Sequence, residues 1–333
     1  MRACLLIPDL WPPPGVEQAA RGLRLPGLEL LLGKGSLAAS AGETVEDWLF
    51  RHFAVERSGD WPVAAVTLIA DGGMPGRDVW MRADPVSLRA DGARLVLGDS
   101  AQLRIAPEEA AALTDALNRH FLDDGLEFQP RAPGRWYLRL EARPAMSTRS
   151  PDGAAGRHVN DWLPAGPEAL RWHRLTNEAQ MLLHQHPVNE AREERGEPPV
   201  NSVWLWGAGA APDRARASFT GVWSNHPLAQ GLARLAGIAS GPLPCSGNEW
   251  LAETRPGADV LLVLEDLRGG GPGAWREALQ ALEKSWFSPL AEALRAKRIS
   301  RLDLACPAPE CSRTLTVEAG DFWKFWRGPK PLA

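Results

Sequence analysis

The chain has 333 residues, 41 acidic against 37 basic, a formal charge of -4 and 44% hydrophobic residues. This composition excludes disordered, collagenous and coiled-coil chains, and at about 150 residues per domain it accommodates two domains or one with a large insert. The slight acidic excess gives no broad footprint for duplex nucleic acid, and no apolar stretch approaches the roughly 20 residues that span a bilayer.

At the N-terminus, ACLLIPDL followed by WPPPG reads as a strand buried on both faces. The C-terminal end of such a parallel strand is where α/β proteins place their chemistry. From about 62 to 145 the pattern becomes alternating: VWMRAD (Val79, Met81, Ala83), ARLVLGD and WYLRLEA (Trp136, Leu138, Leu140) mark half-buried antiparallel strands. Among them PEEAAALTDALNRHFL opens on Pro107, Glu108 and Glu109 and sets Ala110, Leu113, Leu117 and Phe121 on one helix face. The helix macrodipole accounts for the paired carboxylates without catalysis. Residues 144–168, rich in Pro and Gly, read as a return linker.

Three more continuous apolar runs follow: NSVWLWGAG at 201–209, ADVLLVLED ending at 266, and RLDLAC at 301–306. Between the last two, Leu279, Leu282 and Trp286 fall at helical spacing, and Pro289 is set to kink or divide that helix. GGGPG at 269–273 lacks the Lys-Ser/Thr of a P-loop and the spacing of a dinucleotide fingerprint. Strand, helix, strand with right-handed crossovers implies a parallel sheet covered by helices. The expected architecture is α/β: a mainly parallel core from 1–61 and 173–333, with an inserted α+β domain over 62–172.

Cys4, Cys245, Cys306 and Cys311 show no repeating framework, and Cys306 and Cys311 lack the further Cys or His of a zinc site. With no charged-then-apolar leader before the first run, reduced thiols and a cytoplasmic location are expected. Arg outnumbers Lys 32 to 5. Guanidinium forks suit phosphate and carboxylate, but a GC-rich genome is the simpler account of the excess. Fifteen Trp against one Tyr should sit half-buried at seams or line a binding surface, because each indole N–H needs a partner.

RADPVSLRADGARLVLGDSAQLRIAPEEAAALTDALN at 82–118, with PGRWYLRLEA at 133–142, resembles the inserted domain of archaeal-type cofactor-independent phosphoglycerate mutases, which begins on an Arg-x-Asn motif. HPVNEAREERGEPPVNSVWLWGAG at 186–209 resembles the segment by which those mutases re-enter their core, and LLIPDLW with LPGLELLLGKGS resembles their first strand and the helix after it. The whole chain also resembles the RpfE-type bacterial regulatory proteins. Both resemblances imply an alkaline-phosphatase-like core.

The resemblance implies phosphoryl transfer through a Ser clamped between two divalent metals, with carboxylate and His ligands from the ends of separate strands. Asp9 keeps the Asp of the family's Asp-Gly and is the remnant of a metal ligand. Thr44, in AGETVEDWLFRHF, is the nearby hydroxyl where the family has a Ser shortly before a helix, which makes it the catalytic candidate. After VLLVLED and after LDLAC the family carries Asp and His. Here those places read LRGGGPGAWRE and PAPECSRTLTVEAGDFW, and no His follows His226. A mixed nitrogen and oxygen two-metal site is therefore not expected, and neither is a cofactor. His184 and His186 point about 200° apart on a helix and do not chelate one metal there; a capping role before Pro187 is expected.

What is expected to persist is the substrate-facing half: Asn189, Arg192, Asn201 and Trp204 in the most specific stretch, with Arg82, Arg135 and Arg139 from the insert. Guanidinium plus amide suits a carboxylate or phosphate. The competing account has Asn189 and Asn201 fixing turns around Pro198 and Pro199, and Arg192 pairing with Glu193, Glu194 or a neighbour. The leading expectation is a catalytically degenerate mutase-like protein, a pseudoenzyme that regulates by binding a small phosphorylated or carboxylate metabolite or a protein partner, with no nucleic-acid or membrane partner. One alternative is a working mutase or phosphatase with a metal site rearranged around Asp9, Asp266 and Asp303. Another is an interaction module whose Trp-rich face includes Trp204, Trp206 and Trp223.

Overall fold

The first apolar run forms β1 (Arg2–Leu6), whose residues 3–6 are buried. It lies between two parallel neighbours from much later in the chain, β11 (Asp259–Val263) and β12 (Arg301–Cys306). The computed structural model describes residues 1–12, 16–92, 94–98, 103–154, 157–255, 257–265, 267 and 271–332. It divides into a core unit, Met1–Val55 with Arg214–Ala333, and an inserted unit, Glu56–Asp213.

The core sheet continues from β11 to β9 (Gly221–Ser224) and β10 (Ala239–Gly241), all parallel. On the other side, β12 pairs antiparallel with β13 (Cys311–Glu318), and β13 with the edge strand β2 (Ser36–Ala41). The architecture is the α/β arrangement expected, with a mainly parallel sheet covered by helices. α1 (Pro26–Lys34) buries Leu28 and Leu31 in the same apolar cluster as Leu290 and Leu294 of α10 (Ser288–Arg295). Each such side chain contributes about 1.5–3 kcal/mol.

Between α9 (Gly271–Leu282) and α10 the backbone widens into a π-helical turn, Glu283–Phe287, just before Pro289. The division predicted at Pro289 therefore takes the form of this π-helical turn, with Pro289 in the first turn of α10. The turn also delivers the buried Glu283 carboxylate to the start of α1, where it accepts from Gly27 N (2.7 Å) and Leu28 N (3.1 Å). Two of the helix's orphan donors are satisfied there, at its positive end. Gly27 must be glycine, because a Cβ would lie 2.5 Å from Ser288 N.

The inserted unit is an α+β layer. Its antiparallel sheet runs β6 (Glu127–Ala132), β7 (Arg135–Leu140), β3 (Val79–Val86), β8 (Ser202–Ala210). A small hairpin, β4 (Leu88–Asp91) with β5 (Arg94–Leu97), stands beside it. One sheet face packs Met81, Trp136, Leu138 and Leu205 against α4 (Pro107–His120) and α5 (Ala169–His184); the other packs Trp80 and Tyr137 against α3 (Val63–Ala70).

Four expectations change here. NSVWLWGAG, read as a parallel core strand, is β8, antiparallel to β3 in the inserted unit. With α3 over one face and α5 over the other it is apolar throughout, which is also how a parallel strand reads. Residues 173–213, expected in the core, accordingly belong to the inserted unit, and β3 is buried almost along its whole length rather than on alternate residues. Residues 144–168 are no free linker: Thr148 donates from N (2.8 Å) and Oγ1 (2.5 Å) to Asp60, and Ser147 bridges Ala165.

Candidate functional site

The C-terminal ends of β1, β9, β11 and β12 lie along one edge of the core sheet, where parallel sheets present functional groups. β2 runs the same way as β12, since both are antiparallel to β13, so the residues after Ala41 reach the same edge. Beyond β1 comes Asp9 in the left-handed region at φ 57°, a conformation that Asp tolerates better than most side chains. Trp275 donates its indole N–H to the Asp9 carbonyl at 2.8 Å and so fixes this turn. At the end of β9, buried Ser224 accepts from His226 N (2.9 Å), placing His226 as the N-cap residue of α7 (Pro227–Leu235). His226 Nε2 lies 3.7 Å from the carboxylate of Glu265, which follows β11.

At the end of β12, burial pushes the Cys306 thiol well above its ordinary range; Cys4 and Asp9 add to this and Arg313 opposes it. A neutral, buried thiol is no nucleophile. Arg313 stacks its guanidinium on Trp11, 5.3 Å from the ring centroid. The four cysteines are all free thiols.

Thr44 stands as the N-cap of α2 (Val45–His52), immediately before a helix. Its hydroxyl accepts from Asp47 N (3.1 Å) and donates to the Asp47 carboxylate (2.9 Å), while Asp47 accepts from Thr44 N, a closed capping box. Asp303 lies inside β12 rather than at its end, and its carboxylate is occupied by Arg301 (2.8 and 3.0 Å) and Thr316 (2.6 Å). Asp266 lies outside the described residues.

Two divalent metals would each require four to six donors from such an edge. Among the described residues no group of three or more His, Cys, Asp or Glu side chains is placed to hold a metal ion. The donor set described does not fit a two-metal clamp.

The anion-binding candidates all lie in the inserted unit, where each has an internal partner. Arg82, buried on β3, gives Nε to Asp84 Oδ1 at 2.8 Å, and its guanidinium lies between the rings of Tyr137 and Trp206, 5.4 and 5.5 Å from their centroids. Trp206 donates its indole N–H to Asp84 Oδ2 at 2.7 Å. Arg135 grips Asp71 with both arms, 2.9 and 2.5 Å, and the Tyr137 hydroxyl donates to the same carboxylate at 2.6 Å. Burial raises the Asp71 carboxyl, but these donors together outweigh it and hold it below its usual range. Burial likewise raises Asp84, which Arg82 and Trp206 only partly offset. Arg139 pairs with Asp78 at 2.9 Å on the surface.

Arg192, fully buried, donates to Glu109 (2.6 Å), the Pro198 carbonyl (2.9 Å) and the Arg104 carbonyl (2.9 Å). Its carboxylate partners are Glu109, 83 residues away, and the neighbouring Glu197 at 3.5 Å, rather than Glu193 or Glu194. Asn189 accepts from Val200 N (2.8 Å) and donates to the Leu183 and Val200 carbonyls; Asn201 exchanges two bonds with Leu88. Asn189 therefore ties the chain on either side of the Pro198–Pro199 turn, whereas Asn201 ties the start of β8 to that of β4. Trp204 gives its N–H to the Arg149 carbonyl at 2.8 Å. His184 closes α5 and His186 starts α6 (Pro187–Glu194), accepting from Val188 N at 3.2 Å. Trp204 and Trp206 are buried and Trp223 is half-buried, so these three do not make an exposed face.

Sequence reasoning missed the His226–Glu265 pair, Arg313 on Trp11, and the aspartates that hold the arginines. The short run GVWS ending on a polar pair before Pro227 was the available signal for the first of these.

The family described as 2,3-bisphosphoglycerate-independent phosphoglycerate mutase matches residues 70–189. A probable mutase of this kind from Geobacter sulfurreducens is 32% identical over 170 residues, covering 48% of this chain and 42% of the relative. One from Methanosarcina barkeri is 29% identical over 164 residues, 48% of this chain and 39% of the relative. The matched stretch thus spans about two fifths of these curated relatives. Among solved structures, a cofactor-independent phosphoglycerate mutase from Thermoplasma acidophilum aligns over 96% of this chain and 90% of its own, with TM-score 0.50 and 17% identity. A Pyrococcus horikoshii protein aligns over 95% and 87%, with TM-score 0.57 and 13% identity. The chain is therefore phosphoglycerate mutase-like, in sequence over about half of its length and in fold over nearly all of it.

Proposed function

We propose that this chain is a catalytically degenerate phosphoglycerate mutase-like protein that acts by binding, in the manner of the RpfE-type regulatory proteins it resembles. The observation that carries this reading is the use made of the positions where chemistry is expected: the Thr44 hydroxyl closes a helix cap and the Asp303 carboxylate an ion pair within its strand. For an anionic metabolite, Arg82 and Arg192 are sealed in the interior, whereas Arg135 and Arg139 share a face of β7 and are partly exposed, 35% and 53%. A ligand phosphate or carboxylate would exchange with Asp71 or Asp78 there, since bidentate guanidinium recognition is common to both. The experiment joins elemental analysis and turnover of a generic phosphate ester with calorimetry against 3-phosphoglycerate. No stoichiometric Mn²⁺ or Zn²⁺, no turnover, and heat of binding that Arg139→Ala diminishes is the expected result. Stoichiometric metal with turnover abolished by Thr44→Ala would overturn it.

One observation favours a working phosphatase or mutase as the second reading. Thr44 precedes a helix with its hydroxyl proton directed at the Asp47 carboxylate, a pairing that also suits a nucleophile and its base. Turnover that survives Thr44→Ser and is lost in Asp47→Asn would select it.

A further inference from the structure

Among the described residues, the exposed large aromatic side chains are Trp323, Phe325 and Trp326, 75%, 87% and 68% exposed, all in one short segment of the core unit. Nothing in the phosphoglycerate mutase-like reading uses them. The segment that carries them is pinned at several points. Lys34 Nζ donates to the Lys324 carbonyl at 2.8 Å, Arg327 to the Lys34 carbonyl at 2.9 Å, and Lys330 N to the Glu29 carbonyl at 2.9 Å. Gly33 of α1 meets Gly328 so closely that a Cβ on it would lie 2.0 Å from the Gly328 carbonyl oxygen. Three large rings are therefore held out in water by an ordered backbone, an arrangement that solvent alone disfavours.

The charges around them have one sign in excess. The chain has only five lysines, and four touch this segment: Lys34 and Lys324 through the bond above, Lys330 within it, and Lys297, whose ammonium lies over the Trp323 ring, 5.7 Å from its centroid. Lys297 holds that place from the left-handed region at φ 57°, directly after α10, where glycine is the comfortable residue. Arg295, Arg298 and Arg327 are exposed nearby in sequence. The opposing acids are Glu29, Glu292, Glu318 and Asp321, fewer than the cations, and Asp321 already holds Lys324 and Glu318 N.

We propose that residues 323–330 with Lys297 form an interfacial docking surface for an anionic phospholipid bilayer. Indole and phenyl rings settle at the boundary of headgroup and acyl chain, and flanking cations add attraction to anionic lipid; either alone gives weak binding and the combination gives specific recruitment. Single-stranded nucleic acid uses the same residue types as stacking platforms. Here, however, Phe325 and Trp326 meet edge to face at 83°, and one face of Trp323 is taken by Lys297, so no parallel row of open rings exists for successive bases.

The test is co-sedimentation of the full chain with phosphatidylcholine vesicles with and without phosphatidylglycerol, read together with tryptophan emission. Expected are binding to the anionic vesicles only, an emission shift to shorter wavelength, and loss in high salt. Phe325→Ser with Trp326→Ser should weaken binding about tenfold or more, and Lys297→Gly and Lys330→Gln about fivefold each. Lys297→Gly relaxes its backbone, so a folding defect does not confound it. No partition into anionic vesicles, or partition unaltered by the aromatic double variant with its circular dichroism unchanged, would overturn the proposal. So would binding to single-stranded RNA, or self-association through this segment, in place of vesicle binding.

Discussion

Arg82 and Asp84 are two residues apart on β3, so their side chains share one face of the strand, and both are buried there with Nε and Oδ1 2.8 Å apart. Removing one partner leaves a buried charge uncompensated. Asp84→Ala should destabilise the protein by about 3–5 kcal/mol, while Arg82→Met combined with Asp84→Leu should cost much less than the sum of the single changes. Urea unfolding of the double-mutant cycle measures this, and additive costs would show that the pair is not coupled.

Asp71 supplies a pH dependence of defined sign. Its carboxyl is held below its usual range in the folded protein, so its contribution is complete above the unfolded value of about 3.9 and is lost as pH falls through the lower folded value. The stability gap between wild type and Asp71→Asn should therefore be widest at neutral pH and shrink on acidification below about pH 4. Denaturant titrations at a series of pH values would show it; a gap independent of pH contradicts the assignment.

Thr44→Ala should lower stability by about 1 kcal/mol through loss of the capping box on α2, and Thr44→Ser should restore most of it. Thermal unfolding of the pair is the measurement. A loss in Thr44→Ala far beyond a cap, or none, would mean that the hydroxyl has another task.

At Gly33 a methyl group has no place, because the atom it meets is backbone. Gly33→Ala should displace the 323–330 segment from α1, at a stability cost of about 1–3 kcal/mol, and open it to proteolysis. Limited trypsin digestion reports this directly at Lys324 and Arg327; an unchanged digestion pattern would refute it.

The core strands were legible because an apolar run between turn signals is enough to specify β1, β11 and β12. The same rule misplaced β8, since a strand covered on both faces looks alike in parallel and antiparallel company. β2 was invisible: SLAASA is exposed throughout and has no hydrophobic pattern to read. Among the site candidates, residue type was readable but occupancy was not. Asp71 lies 64 residues before Arg135, and Glu109 lies 83 before Arg192, distances across which sequence spacing says nothing about pairing. The exposed tryptophans were missed because indole count alone does not tell a buried ring from one held in water.

The position of β1 has a consequence for biosynthesis. Among the described residues its partners are β11 and β12, more than 250 residues downstream, so a nascent chain presents this strand with neither neighbour yet made. The inserted unit, by contrast, is continuous over Glu56–Asp213 and closes on itself well before those partners emerge. Vectorial synthesis therefore imposes an order, insert first and core last, with an apolar strand unpaired in the interval. A chain stalled before β11 should therefore carry an apolar strand with no partner, the kind of exposed edge that invites aggregation.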